Sequence, residues 1–300
     1  MTDERGVNSG ILNVDKSLGR TSFDVVALVR RGTGVRRVGH AGTLDPLATG
    51  VLLVCLGQAA RVSEYLMDLR KTYRATIELG RSTDTYDAEG RTTFTGDTEG
   101  VSREALESAL VGFRGEIMQT PPEYSAVKVD GQRAYKLARS GQAVALKPRP
   151  ASVYRIDLLR FERPHVEIEV ECGKGTYIRS IAHDLGERLG CGGHLAALVR
   201  TKVGPFDVES AVGMASLEAA CAAGSWRDAV VPMDLGLAHL PSLTLGAVDE
   251  QNVRNGRAVS LDASGGHGVD HRAYAEDGSL VGIVRYDAEA GVWRPRKVFG

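Results

Sequence analysis

Asp45 is the one acidic residue in the run Gly39-His40-Ala41-Gly42-Thr43-Leu44-Asp45-Pro46-Leu47-Ala48-Thr49-Gly50. A carboxylate presented on a shaped loop can act as a nucleophile or a general base. The same residue in a strand-entry turn can instead cap backbone amides. The glycines permit backbone angles closed to other residues and let a partner approach closely. Pro46 fixes its own φ and biases Asp45 away from the helical region. The apolar run Val51-Leu52-Leu53-Val54-Cys55-Leu56 follows at once and reads as a buried strand, so the loop is anchored at its C-terminal end. No second acid lies nearby in sequence.

Two more residues stand where chemistry could use them. Val166 to Cys172 alternates strictly and ends at Gly173-Lys174-Gly175. A helix is expected from about Thr176 to Gly190, with Ile178, Ile181, Ala182, Leu185 and Leu189 on its apolar face. Arg179 then falls in the first helical turn, directly after a strand, where site residues are common and where an ordinary surface arginine would sit against the helix's preference for acids. Thr72 to Leu79 reads as a half-buried strand that aims Tyr73 inward with Ala75, Ile77 and Leu79. An inward tyrosine is ordinary core; its position in Lys71-Thr72-Tyr73 after the Asp45 loop marks it for closer attention.

The remaining elements form the frame. Gly10 to Val14 is a strand. Thr21-Ser22-Phe23-Asp24 fits a capping box, with a helix running to Arg31 and stopping at Gly32. Residues 102–113 read as a helix, and Tyr124 to Val129 as a strand. Gly131 to Pro150 reads as a short basic helix and loop, and Ala215 to Ala229 as a helix. Short strand-like runs at 272–275, 280–286 and 292–299 suggest a small β module over 243–300. The expected fold class is α+β: a mixed, mainly antiparallel central sheet flanked by helices.

The 300 residues are 43% hydrophobic and 25% charged, as in ordinary globular proteins. No apolar run approaches the roughly 18 to 20 residues of a membrane helix. Met1 to Asn8 has no secretory character. Cys55, Cys172, Cys191 and Cys221 are scattered, which fits reduced thiols in a cytoplasmic protein. Cys191 and His194 share metal-ligand spacing, but no second pair completes a tetrahedral set, so no metal is expected. Gly32-Thr33-Gly34 lacks the spacing and the preceding strand of a dinucleotide loop. Net charge is -1, yet residues 16–40 carry six basic residues against Asp24, and residues 128–155 carry seven against Asp130. Acids gather elsewhere, among them Asp84, Asp87, Glu89, Asp97, Glu99, Glu104 and Glu107. Such asymmetry suits a polyanion-binding face, although a solvated surface would also show it.

The Gly39 to Gly57 stretch resembles the catalytic loop of the TruB-type tRNA pseudouridine synthases. Further matches follow in order: Lys71-Thr72-Tyr73-Arg74; Gly80 to Gly90; Pro121-Pro122-Glu123-Tyr124-Ser125-Ala126-Val127-Lys128; Gly131-Gln132-Arg133-Ala134-Tyr135; Gly175-Thr176-Tyr177-Ile178-Arg179-Ser180; and Gly193-His194-Leu195. Together they span most of residues 10–205.

The resemblance implies an enzyme that isomerises uridine to pseudouridine at position 55, in the tRNA T-loop, on an extruded base. It assigns Asp45 as the catalytic carboxylate, Arg179 as its partner and Tyr73 as the base-stacking residue. Tyr177 and Leu198 become walls of the same pocket, and His40 an RNA contact beside the flipped base. Lys16, Arg133 and Lys136 fall to the phosphates of the T-stem-loop. It implies a catalytic domain over 1–235 with a basic insertion near 128–150, and a C-terminal module resembling PUA domains over 243–300. No cofactor, guide RNA or membrane is called for, and a monomer is expected. The rivals are a related synthase with another target, and an RNA chaperone for which catalysis is secondary. A glycosidase would need a second carboxylate across a cleft, and no partner motif is present.

Overall fold

The computed structural model describes residues 9–125, 127–129, 131–134, 137, 146–261, 266 and 268–300. The run that anchors the Asp45 loop forms a central strand. The strands of its sheet include β1 (Gly10–Lys16), β2 (Val38–His40), β3 (Ala48–Leu56), which is that run, β4 (Lys71–Leu79), β5 (Gly115–Gln119), β6 (Arg149–Glu162), β7 (His165–Cys172) and β8 (Gly193–Val203). They belong to an eleven-stranded sheet in the order Val212–Gly213, β1, β3, β8, β4, β7, β6, β5. Pairing is mainly antiparallel; β8 with β3, and β1 with Val212–Gly213, are parallel.

The sequence patterns explain which strands lie deep. β3 has no polar alternation, and both of its faces are covered. Leu52, Val54 and Leu56 join one core cluster, while Val51, Leu53 and Cys55 join another. β4 and β7 alternate and bury one face only, with Ala75, Ile77 and Leu79 packed against Val166, Ile168 and Val170. Cys55 and Cys172 are buried small hydrophobes, as their strand contexts implied.

Among the described residues the α-helices include α1 (Ser22–Thr33), α2 (Ser63–Asp68), α3 (Arg103–Val111), α4 (Ile178–Arg188), α5 (Met214–Ala223) and α6 (Ala247–Arg254). The capping box at the start of α1 is present in both directions: Thr21 Oγ1 accepts from the Asp24 amide, and Asp24 accepts from the Thr21 amide. The helix runs past the expected stop. Gly34, at φ 69°, ends it, whereas Gly32 lies against α5, where a Cβ would sit 2.4 Å from Cys221 Cβ. Gly32 therefore serves helix packing and not termination. The expected helix over 215–229 ends at Ala223, because Gly224 turns left-handed (φ 75°), and a separate 3-10 turn covers Trp226–Ala229. The strand expected over 124–129 shrinks to Lys128–Val129, hairpinned with Gln132–Arg133 through Gly131 (φ 82°). The rest of the expected basic helix falls largely outside the described residues, as does Lys136.

A second sheet, in the order β9 (Ser242–Leu245), β10 (Asp270–Ala275), β11 (Leu280–Asp287), β12 (Val292–Val298), forms the C-terminal module. It has its own core around Leu245, Val253, Val281 and Trp293, with α6 packed on it. Ile283 and Phe299 join Val62 and Leu237 in a small cluster that docks the module on the larger domain. Among the described residues no helix is long and apolar enough to cross a membrane.

Candidate active site

Each residue flanking Asp45 is fixed by a buried polar group. Ser22 Oγ donates to Leu44 O (3.0 Å) and accepts from Leu44 N (2.9 Å). Arg200, 1% exposed, donates to Gly42 O, Thr43 O and Val51 O at 3.2, 3.4 and 2.7 Å. Lys16 is fully buried, and its ammonium donates to Ser17 O, Arg20 O and Pro46 O at 3.1, 2.7 and 3.5 Å. The Ala48 amide donates to Asp45 O (3.0 Å). The loop is thus tied at 42, 43, 44, 45 and 46, and its side chain at 45 is aimed by its own backbone. Lys16 is therefore not the phosphate contact that was expected. Its charge faces inward, held by carbonyls. Burial lowers its pKa to about 8, although the Asp45 carboxylate pulls it upward.

Arg179 meets this carboxylate, as the resemblance implied. Its Nη2 lies 2.9 Å from Asp45 Oδ2 and donates to Tyr124 O at 3.0 Å. Its Nη1 lies 3.2 Å from Asp87 Oδ2. The guanidinium and the Asp87 side chain are 7% and 4% exposed, against 38% for Asp45. One buried arginine therefore bridges two carboxylates, one buried and one facing solvent. The two acids remove the misfit of a cation at a helix N-terminus.

Asp87 is a residue of the site that the sequence reading did not single out. It belongs to the acids that gather away from the basic stretches, yet it is 3% exposed. Its Oδ1 accepts from Thr85 Oγ1 (2.5 Å) and from the Glu89 amide (3.2 Å). The turn that carries it is unusual: Tyr86 adopts φ 63°, the one non-glycine residue of positive φ among those described. The Tyr86 carbonyl accepts from Leu195 N, and its ring stacks on His183 at 3.9 Å. His183 and Arg179 lie one helical turn apart on α4, so a single helix face grips both Tyr86 and Asp87. The signal available in sequence was an aspartate inside a Gly-rich motif; nothing local distinguished it from Asp84 or Glu89. Asp87 does not line the main cavity, so it is no second carboxylate across a cleft.

The start of α4 is held independently. Gln119, 2% exposed, donates its side-chain amide to Tyr177 O (3.1 Å) and accepts from Tyr177 N (3.0 Å). Ser180 Oγ donates to Thr120 O (2.8 Å).

Asp45, Tyr73, Tyr177, Arg179 and Leu198 all line one cavity of about 1050 Å³. Leu198 sits on β8 where it pairs with both Ala48 of β3 and Ala75 of β4. Tyr73 enters from β4 and shares the cavity wall with Arg200. Burial raises the Tyr73 hydroxyl above the ordinary tyrosine range, opposed by the Arg200 charge. Burial likewise raises Tyr177. His40 is not in that cavity. It ends β2, half-buried, with Nδ1 unpartnered among the described residues, and burial plus the Arg200 charge lower its pKa. Arg133 lies in the short hairpin at the start of the basic stretch.

A carboxylate bridged through a buried arginine to a second, buried acid thus opens into a cleft of the mixed sheet, with Tyr73, Tyr177 and Leu198 among its walls. The fold is shared with a chain in the structure of an H/ACA RNP bound to a substrate RNA containing 2'-deoxyuridine (TM-score 0.75, 26% identity, 97% of this chain and 85% of that chain). It is shared equally with a chain of a Cbf5-Nop10-Gar1 complex (TM-score 0.74, 28% identity, 100% and 88%). Residues 30–178 match the family model for the TruB family pseudouridylate synthase N-terminal domain, and residues 179–238 that for the tRNA pseudouridylate synthase B C-terminal domain. Proteins named tRNA pseudouridine synthase B from Dehalococcoides mccartyi and Ruegeria sp. are 46% and 43% identical over 97% of this chain and 96% of their own length. The chain belongs to the TruB family of pseudouridine synthases.

Proposed function

We propose that this enzyme converts the T-loop uridine at position 55 of tRNA to pseudouridine, with Asp45 as its single reacting carboxylate. The observation that carries this reading is the cavity in which Asp45, bound to Arg179 at 2.9 Å, meets Tyr73 and Leu198. Relatives that cover nearly the whole chain bear the name tRNA pseudouridine synthase B, which supports tRNA as the substrate.

The reaction needs no redox partner and no group donor. The N1–C1' bond of uridine breaks, uracil turns, and a C5–C1' bond forms. The C5 proton leaves and N1 gains one, so the atoms of substrate and product are the same. The target lies in a folded loop and must leave the stack to reach Asp45. Tyr73 stacks on the extruded uracil, an interaction worth about 1 to 3 kcal/mol per base in other systems. Leu198 and Tyr177 close the pocket around it. Arg179 holds the Asp45 carboxylate in place through a charge-assisted bond, and Asp87 holds Arg179. Either route of attack, on C1' or on the ring, uses the same fixed oxygen.

The enzyme acts as a stand-alone cytoplasmic monomer without a guide RNA. His40 contacts RNA from beside the loop and not from within the cavity. Arg133 and Lys136 contribute phosphate contacts that set register without reading sequence. The C-terminal module adds RNA-binding surface.

Replacing Asp45 by Asn tests the assignment against the chaperone reading. Asp45→Asn is expected to bind unmodified tRNA while forming no pseudouridine, measured by release of tritium from C5-labelled uridine. Conversion that survives the substitution refutes the role of Asp45. Equal conversion of a transcript lacking the T-loop uridine refutes the target.

A further inference from the structure

The cavity that holds Asp45 is not walled by the larger domain alone. Asp270, Arg285 and Arg296 of the C-terminal module line it as well. Their placement is fixed by an interface built on residues 57–68, the segment directly after β3, which itself carries the Asp45 loop.

That interface is well tied. Tyr65 Oη donates to Asp270 Oδ2 (2.8 Å), and Arg285 binds both oxygens of Asp270 at 2.6 and 2.9 Å. Burial alone would raise the Asp270 pKa, but the bonds from Arg285 and Tyr65 outweigh it and hold the carboxyl below its usual range. Lys297 pairs with Glu64 (2.7 Å), Arg61 donates to Val298 O, and Phe299 packs with Val62. The module therefore approaches the cleft in one orientation.

Most cations of the cavity are already engaged. Arg179 bridges two carboxylates, Arg200 holds the loop carbonyls, Arg285 holds Asp270, and Lys174 pairs with Asp68 (2.5 Å). Lys71 donates to Met67 O, and burial lowers it to about 8. Arg296 differs. It is exposed on β12 and has no hydrogen bond or ion pair among the described residues, contributing only at longer range to the field on Asp270. A guanidinium on the wall of a polyanion's cleft, with its donors free, fits a phosphate better than any other group of an RNA strand. At about 1050 Å³ the cavity lies at the upper end of sites for single small ligands, which leaves room for a nucleoside and a flanking phosphate.

We infer that Arg296 binds a phosphodiester of the same RNA segment whose nucleotide enters the cavity. The C-terminal module is then part of the catalytic cleft, gripping backbone beside the reacting uridine and not only a distant part of the tRNA. The inference rests on the T-loop reading above and deepens it.

The test compares wild type with Arg296→Ala and Arg296→Glu on two RNAs: full tRNA and an isolated T-arm hairpin without an acceptor stem. For Arg296→Ala, Kd is expected to rise about tenfold with both, and the slope of log Kd against log salt to fall by about 0.7 to 1. Arg296→Glu should weaken both further, with melting temperatures unchanged because the side chain is exposed. Weakening confined to full tRNA places the contact outside the hairpin and overturns the inference; so does an unchanged Kd and slope with the hairpin. Failure of the wild type to convert the hairpin refutes the T-loop reading instead, and the two binding comparisons still judge Arg296.

Discussion

The buried arm of the carboxylate–arginine–carboxylate bridge can be removed almost without changing its shape. Asp87→Asn conserves volume and leaves an oxygen to accept from Thr85 and the Glu89 amide. What it removes is the charge facing Arg179 Nη1 at 3.2 Å. The Asn nitrogen that takes the place of Oδ2 faces Arg179 Nη1 donor to donor, so the charge-assisted hydrogen bond is lost outright, at about 1.5 to 3 kcal/mol. The 3 to 5 kcal/mol typical of an orphaned buried charge is an upper bound here, because Arg179 keeps Asp45, Tyr124 O and Thr85 O. If that loss is felt at Asp45, it corresponds to about 10- to 160-fold in rate. Asp87 does not line the cavity, so tRNA affinity should stay within about twofold of wild type. Single-turnover tritium release and filter binding on the same protein preparation separate the two. A wild-type rate accompanied by a lowered melting temperature would show that Asp87 serves only the fold. A weakened Kd with an unchanged rate would refute the positional argument just as firmly.

Two lysines give further predictions. Lys16→Met removes the donor to Ser17 O, Arg20 O and Pro46 O, at about 1 to 3 kcal/mol for each carbonyl left dry. The single-turnover rate and melting temperature should fall while the salt slope of tRNA binding stays put; a slope lower by about one would restore Lys16 as a phosphate contact. Lys71 has a folded pKa of about 8 against 10.5 unfolded. Below pH 8 both states carry the proton, so burying the charge costs its full amount. Between pH 8 and 10.5 the unfolded chain holds more protons, and that cost is relieved as pH rises, by at most about 1.4 kcal/mol per pH unit. The stability of Lys71→Met relative to wild type should therefore decline through that window, read from denaturant melts at pH 7.5, 9 and 10; a difference independent of pH would contradict the buried ammonium.

Much of the frame was legible because it follows from local rules. The apolar continuity of Val51–Leu56 foretold a strand covered on both faces, and the strict alternation of Val166–Cys172 foretold one covered on a single face. Thr21 and Asp24, three apart, announced a capping box that forms in both directions. Local rules failed where a glycine had two possible uses: Gly32 read as a helix stop, but its missing Cβ makes room for Cys221 from 189 positions away. They failed again at Lys16, whose charge suggested surface and whose partners are carbonyls that only the folded loop brings together.

The sequence by itself determined that Asp45 sits on a rigid, strand-anchored loop, and that Arg179 opens a helix directly after a strand; spacing and backbone chemistry suffice for both. Tertiary structure alone decided that the two touch, that Asp87 completes the bridge from the far side, and that Arg296 reaches the same cleft. Each of those depends on where β3, β8, α4 and the second sheet settle against one another. Burial and charge compensation act across hundreds of positions in the chain, and no local pattern of residues encodes them.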